Sequence, residues 1–234
     1  MEVPFDAQKW HEALGHPDWY IRLGDDFKRL EALAKDNPDA KTKEPAYTAV
    51  EAALHEGQLP LGDSGEDFDE DRRPIDTIVV HHTKNKPGMP LARLNAMHLL
   101  RLYGPEYARE SRPYHGQPVW SGHFYQDKQV FWGYHWLVRQ DGAAEHILDD
   151  RYIGWHAGNW DVNTRSVAFC IDDDLTEKEP SHLALQAIAA AIRKNYPQVK
   201  QKNIIGHCDV VDTVCPGKLF KPSWRGKLLA LLEA

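Results

Sequence analysis

The sequence predicts an α/β fold: a central mixed β-sheet flanked by helices, with a helical extension at the N terminus. Three observations carry this reading. Residues 75–83 (IDTIVVHHT) and 165–172 (RSVAFCID) are short apolar runs, rich in β-branched side chains, of the kind that form buried strands. Residues 180–195 place Leu185, Ile188, Ala189 and Ile192 on one helical face. Residues 129–150 (QVFWGYHWLVRQDGAAEHILDD) read as a hairpin, with Asp141 and Gly142 supplying the positive φ angles of a tight turn. Strands alternating with helices, plus one hairpin, imply a mixed sheet covered by helices.

The other elements follow in chain order. Helical spacing at Phe27, Leu30, Leu33 and Ala34, and again from Pro45 through Ala49, Ala52 and Leu54, predicts short helices in residues 1–74. The stretch 62–73 (GDSGEDFDEDRR) holds six carboxylates and one apolar side chain, the composition of a solvated linker. It marks a boundary between an N-terminal helical extension (1–74) and a domain over 75–222, with a helical tail at 223–234. Residues 89–104 read as a helix with Leu91, Leu94, His98 and Leu102 in one stripe and Gly104 as its C-cap. Residues 105–128, rich in Tyr, His, Pro and Gly, form a long ordered excursion without clear period. A short strand at 203–206 (NIIG) follows the last long helix.

Composition narrows the function. Of 234 residues 42% are apolar and 10% aromatic, too rich for a disordered chain. Lys and Arg number 28 against 35 Asp and Glu, a net charge of −7 without the basic footprint that nucleic acid requires. No run reaches the ~20 apolar residues of a membrane span, and the opening MEVPFDAQKWHEAL lacks the features of a secretory signal. The expected setting is therefore the cytoplasm of the producing cell, or a place reached by another export route. Cys170, Cys208 and Cys215 are too few for a disulfide framework and point to metal ligation or buried thiols.

Two clusters stand out among thirteen histidines. His11, His16, His55, His98, His115, His123, His146 and His182 lack metal-ligand spacing and read as structural or surface residues. The His81-His82 pair ends an apolar strand, where neighbours point to opposite faces and only one can serve a given site. The segment 206–217 (GHCDVVDTVCPG) places His207 and Cys215 eight residues apart. Imidazole and thiolate together suit Zn²⁺, and three protein ligands with an open fourth position is the catalytic pattern. A core thiol beside a hydrogen-bonded histidine is the competing reading.

Four blocks in order, IVVHHT (78–83), GYHWLVRQDG (133–142), GWHAGNWDVNTRSVAFCI (154–171) and GHCDVVDTVCPG (206–217), resemble the zinc-dependent type 2 N-acetylmuramoyl-L-alanine amidases. That family includes phage amidase-type lysozymes, recycling amidases and peptidoglycan recognition proteins. The resemblance implies its fold, a central mixed sheet flanked by helices. It selects His81 over His82 as first zinc ligand and makes His207 and Cys215 the other two. It places Tyr134 beside the metal, assigns catalysis to Tyr134, Thr213 and His156, and lines the substrate groove with Trp155, His156, Asn163 and Arg165. Recycling amidases carry a glutamate on the strand where this chain has Cys170, and an aspartate where it has Cys215, so the resemblance is to the phage and recognition-protein branch.

The implied activity is hydrolysis of the amide between N-acetylmuramic acid and L-alanine in peptidoglycan or muropeptides. The alternative is a non-catalytic recognition module that keeps only the groove; the filled ligand positions argue against it. Bland readings stand beside the implied roles: Tyr134 as a half-buried sheet aromatic, Thr213 as a loop hydroxyl bonded to backbone, and Trp155 with Trp160 as core packing rather than sugar platforms. Cys170 reads as a buried strand thiol and Cys208 as a turn residue.

Overall fold

The computed structural model describes residues 5–36 and 41–233, so the first four residues of the opening segment and the last of the 223–234 tail lie outside the description. The chain opens with helices α1 (Ala7–Leu14), α2 (Trp19–Asp36) and α3 (Glu44–His55). Strand β1 (Thr77–His82) is followed by α4 (Leu91–His98) and α5 (Gly104–Tyr107), joined through a π-helical turn at Leu99–Tyr103. A small hairpin, β2 (Phe124–Tyr125) and β3 (Lys128–Gln129), precedes β4 (Trp136–Val138) and β5 (Ala144–His146). Then come α6 (Trp160–Arg165), β6 (Ser166–Ile171), α7 (His182–Asn195), β7 (Ile204–Gly206) and α8 (Arg225–Glu233).

Two compact units emerge: Met1–Asp67 with Pro90–Trp132, and Phe68–Met89 with Gly133–Ala234. The division falls inside the acidic stretch, but residues 90–132 join the N-terminal helices rather than the sheet. Local contacts in the first unit explain this. Arg93 on α4 pairs with Glu44 and Glu51 of α3, each at 2.6 Å, and Leu61 bridges Val119. Gly104 does not cap α4. It has right-handed φ (−53°) inside a continuing helix, and a Cβ there would crowd Tyr20 Cβ at 3.3 Å and the Leu99 carbonyl at 3.2 Å. The π-turn just before Pro105 opens the backbone ladder where the proline lacks an N–H.

The second unit contains the mixed sheet, with strand order β5-β4-β6-β1-β7. Strands β4, β6, β1 and β7 pair in parallel, and β5 lies antiparallel to β4 at the edge. In that hairpin only Gly142 takes a positive φ (92°), and Asp141 instead accepts from the Ala143 N–H. Val80, Phe169 and Ile204 pack with Ile188 and Ile192 of α7 and with Trp224 and Leu228, so the tail helix α8 closes this core. On the other face Val79 packs with Ala157 and Val162.

The acidic stretch is held rather than freely solvated from Phe68 onward. Asp71 accepts from the Trp160 indole at 2.8 Å, Asp69 accepts from the Ile153 N–H, and Arg72 donates to the Asp150 and Ser166 carbonyls at 2.9 Å each. Among the described residues, no helix is long and apolar enough to cross a membrane.

Burial holds several histidines neutral: it pushes His82 down to about 4, and His98 and His135 down to about 3. An unfolded histidine titrates near about 6.5. Below that pH the unfolded chain binds protons that the folded chain refuses, so stability falls as pH falls until the folded pKa values are reached. Each group contributes up to about 1.4 kcal/mol per pH unit. The urea midpoint of metal-free protein is expected to drop clearly between pH 7 and pH 5; an unchanged midpoint contradicts this account.

Candidate metal centre

The sheet register builds the site. Parallel pairing sets Val80 opposite Gly206, so the residues that follow, His81 and His207, emerge side by side at the carboxyl ends of β1 and β7. Ring centroids of the two histidines lie 4.6 Å apart. The loop after His207 returns through a hydrogen bond from the Cys208 N–H to the Cys215 carbonyl at 2.8 Å, which brings Cys215 back to the strand ends. One donor atom from each of His81, His207 and Cys215 falls within 4.8 Å of the others. Alternation along β1 turns His82 away, where its Nδ1 accepts from the Leu175 N–H at 2.9 Å.

The chemistry of this donor set fits a zinc ion. His207 Nε2 is buried and has no hydrogen-bond partner, although the ring bonds the Ala157 carbonyl, which leaves Nδ1 as the donor. Burial pushes the Cys215 thiol up to about 12 and moves His207 below its ordinary value. A buried imidazole with an unpartnered ring nitrogen beside a thiol is a donor set that could hold a borderline-soft metal ion. The His81 Nδ1 lies 3.7 Å from Cys215 Sγ.

The other expected site residues divide. Tyr134 is half-buried, its ring 5.1 Å from that of His81, and its side chain hydrogen-bonds the Cys170 thiol. Cys170 is fully buried on β6 opposite His81, and burial raises its thiol well above the ordinary value. Thr213 precedes the Cys215 loop end, and its hydroxyl accepts from the Cys215 N–H at 3.3 Å. Trp155 packs edge-on to Phe68 at 4.9 Å and to Trp160 at 6.3 Å.

His156, Asn163 and Arg165, expected along a substrate groove, make the following contacts. His156 is buried behind the centre, with Nδ1 3.0 Å from His81 Nε2 and Nε2 3.1 Å from Ser166 Oγ. Its burial depresses the imidazole pKa well below the usual range. Asn163 is also buried, its Oδ1 accepting from the Ala157 N–H at 2.9 Å. Arg165 binds Asp76 at 2.9 Å and Thr77 Oγ1 at 2.7 Å, at the start of β1. Four residues of strand separate Thr77 from His81, roughly 13 Å. Sequence reasoning missed Ser166 and the Ala157 carbonyl. Strand alternation puts Ser166 on the same face as Cys170, a signal that needs the pairing with β1 before it means anything.

The Amidase_2 family, N-acetylmuramoyl-L-alanine amidase, matches residues 71–218, more than half of the chain. The chain belongs to this family. It is 27% identical over 96 residues to the 1,6-anhydro-N-acetylmuramyl-L-alanine amidase AmpD of Haemophilus influenzae, covering 37% of this chain and 52% of that protein. The match thus spans about half the length of that relative. An endolysin of Enterobacteria phage K11 is 28% identical over 116 residues, 46% of this chain and 68% of the endolysin. The solved N-acetylmuramoyl-L-alanine amidase LysC from Clostridium intestinale URNW, 21% identical, superposes with a TM-score of 0.50 over 70% of this chain and 88% of its own. That likeness concerns the fold.

Proposed function

We propose that the protein is a zinc-dependent N-acetylmuramoyl-L-alanine amidase that hydrolyses the amide between the lactyl group of N-acetylmuramic acid and L-alanine in peptidoglycan or muropeptides. The observation that carries this reading is the convergence of His81, His207 and Cys215 with His207 Nε2 unpartnered. We assign the catalytic unit to Phe68–Met89 with Gly133–Ala234, which contains all three. Similarity to a phage endolysin supports release as a lysin as the route to the wall.

Zinc held by these residues would supply Lewis acidity, easing deprotonation of water near neutral pH and polarising the amide carbonyl. The chain's own residues do the rest. Water adds its hydroxyl to the carbonyl carbon, the C–N bond breaks, and the alanine nitrogen leaves with a proton. Tyr134 meets the oxyanion of the addition step as a hydrogen-bond donor. In the free protein its side chain bonds the Cys170 thiol, a weak acceptor that an oxyanion displaces. Thr213 uses an acceptor lone pair on the Cys215 N–H and keeps its own proton to donate. Trp160, 39% exposed and locked through its indole to Asp71, offers with Trp155 an aromatic surface for sugar faces.

Incubation of zinc-loaded full-length protein with purified sacculi tests the reading. New L-alanine amino termini without new reducing sugar ends are expected, and chelation abolishes them. Reducing ends, or binding without cleavage, would overturn it.

A further inference from the structure

We propose that His156 is a positioning residue that selects which nitrogen of His81 faces the metal, and that the turn carrying it, residues 154–158, orients both histidine ligands at once. The inference rests on the zinc reading of the centre. A neutral imidazole ligates through one nitrogen and carries its proton on the other, so the partner of the second nitrogen decides the ligating atom. His81 Nε2 is occupied by His156 Nδ1 at 3.0 Å, which leaves His81 Nδ1 on the side of Cys215, 3.7 Å from its sulfur. Under this assignment His156 carries its proton on Nε2, donated to Ser166 Oγ at 3.1 Å, and offers Nδ1 as a lone pair. That arrangement requires the proton of His81 on Nε2.

The next residue treats the second ligand in the opposite sense. The Ala157 carbonyl engages His207 through Nδ1, and Nε2 is left without a partner. One short turn therefore presents Nδ1 of His81 and Nε2 of His207. Its own placement is fixed by a hydrogen bond from the Ala157 N–H to Asn163 Oδ1 at 2.9 Å, and by the His156 N–H donating to the Gly154 carbonyl at 3.1 Å. Close backbone approach holds the turn's root: a Cβ on Gly154 would sit 2.3 Å from the Gly133 carbonyl. Asn163 thus supports the turn that orients the two histidines.

The test uses two variants of the full chain that are close in shape. His156→Asn keeps an acceptor oxygen near the place of Nδ1; His156→Leu removes it. Zinc dissociation constants come from competition with a chromophoric chelator, and melting temperatures of the metal-free proteins report folding separately. The Leu variant is expected to bind zinc about 10–100-fold more weakly and the Asn variant within about threefold of the parent. Equal affinity in the Leu variant, or equal loss in both, overturns the positioning role. Long-range ¹⁵N–¹H correlation spectra of the zinc-loaded parent should show His81 protonated at Nε2 and His207 at Nδ1; the reverse pattern overturns the proposal even if a variant misfolds. A parent that takes up no zinc overturns the reading of the centre itself, and the positioning role with it.

Discussion

Cys215→Ala is expected to strip zinc and amidase activity together. The side chain supplies the only sulfur of the trio, and no other donor belongs to the group His81, His207 and Cys215 among the described residues. Cys170 is no substitute, because it is fully buried on β6 and its sulfur does not belong to the convergent group. Two histidines alone make an incomplete site. Loss of the Lewis acid forfeits several kcal/mol of transition-state stabilisation, so the rate should fall by about 10³ or more. Cys208→Ala serves as the control: Cys208 lies outside the trio, and its variant should retain zinc. Zinc content and the rate on sacculi, measured on the same preparations, check both outcomes.

Tyr134→Phe separates chemistry from binding. The ring stays against His81, where the centroid distance is 5.1 Å, and only the hydroxyl is lost. Zinc content and affinity for a muramyl peptide should therefore match the parent. Turnover should fall by roughly 10²–10³, the scale of one missing oxyanion donor. The same substitution leaves the Cys170 thiol without its phenol partner, so the melting temperature is recorded alongside. Full activity in Tyr134→Phe would move the donor role to Thr213, and loss of zinc would make the tyrosine structural.

Strand texture made much of the sheet legible. The apolar runs ending at His82 and Ile171 are β1 and β6, and the run 203–206 contains β7, because buried parallel strands carry their signal in composition. The grouping of His81, His207 and Cys215, whose donor atoms converge, is legible in the ordered blocks rather than in spacing alone. The hairpin of β2 and β3 left no sequence signal: its turn puts Gln126 and Asp127 at φ of 50° and 61°, positions where Asn and Gly are the usual markers. Gly104 and Pro105 read as a stop, yet the helix runs through them because tertiary packing against Tyr20 and a π-turn override the local preference. His156, Asn163 and Arg165 sit in one block of sequence, yet His156 contacts His81 and Asn163 holds the Ala157 N–H, whereas Arg165 binds at the start of β1. Block membership records adjacency along the chain, whereas the pairing of Thr77 with Ser166 and of His81 with Cys170 decides what lies near the His81, His207 and Cys215 group.

X-ray absorption at the zinc K-edge of the loaded protein tests the central claim most directly. The account predicts one zinc per chain with one sulfur at about 2.3 Å and two imidazole nitrogens at about 2.0–2.1 Å, completed by a light-atom ligand. A shell without sulfur, or one with two or more sulfurs, would contradict it.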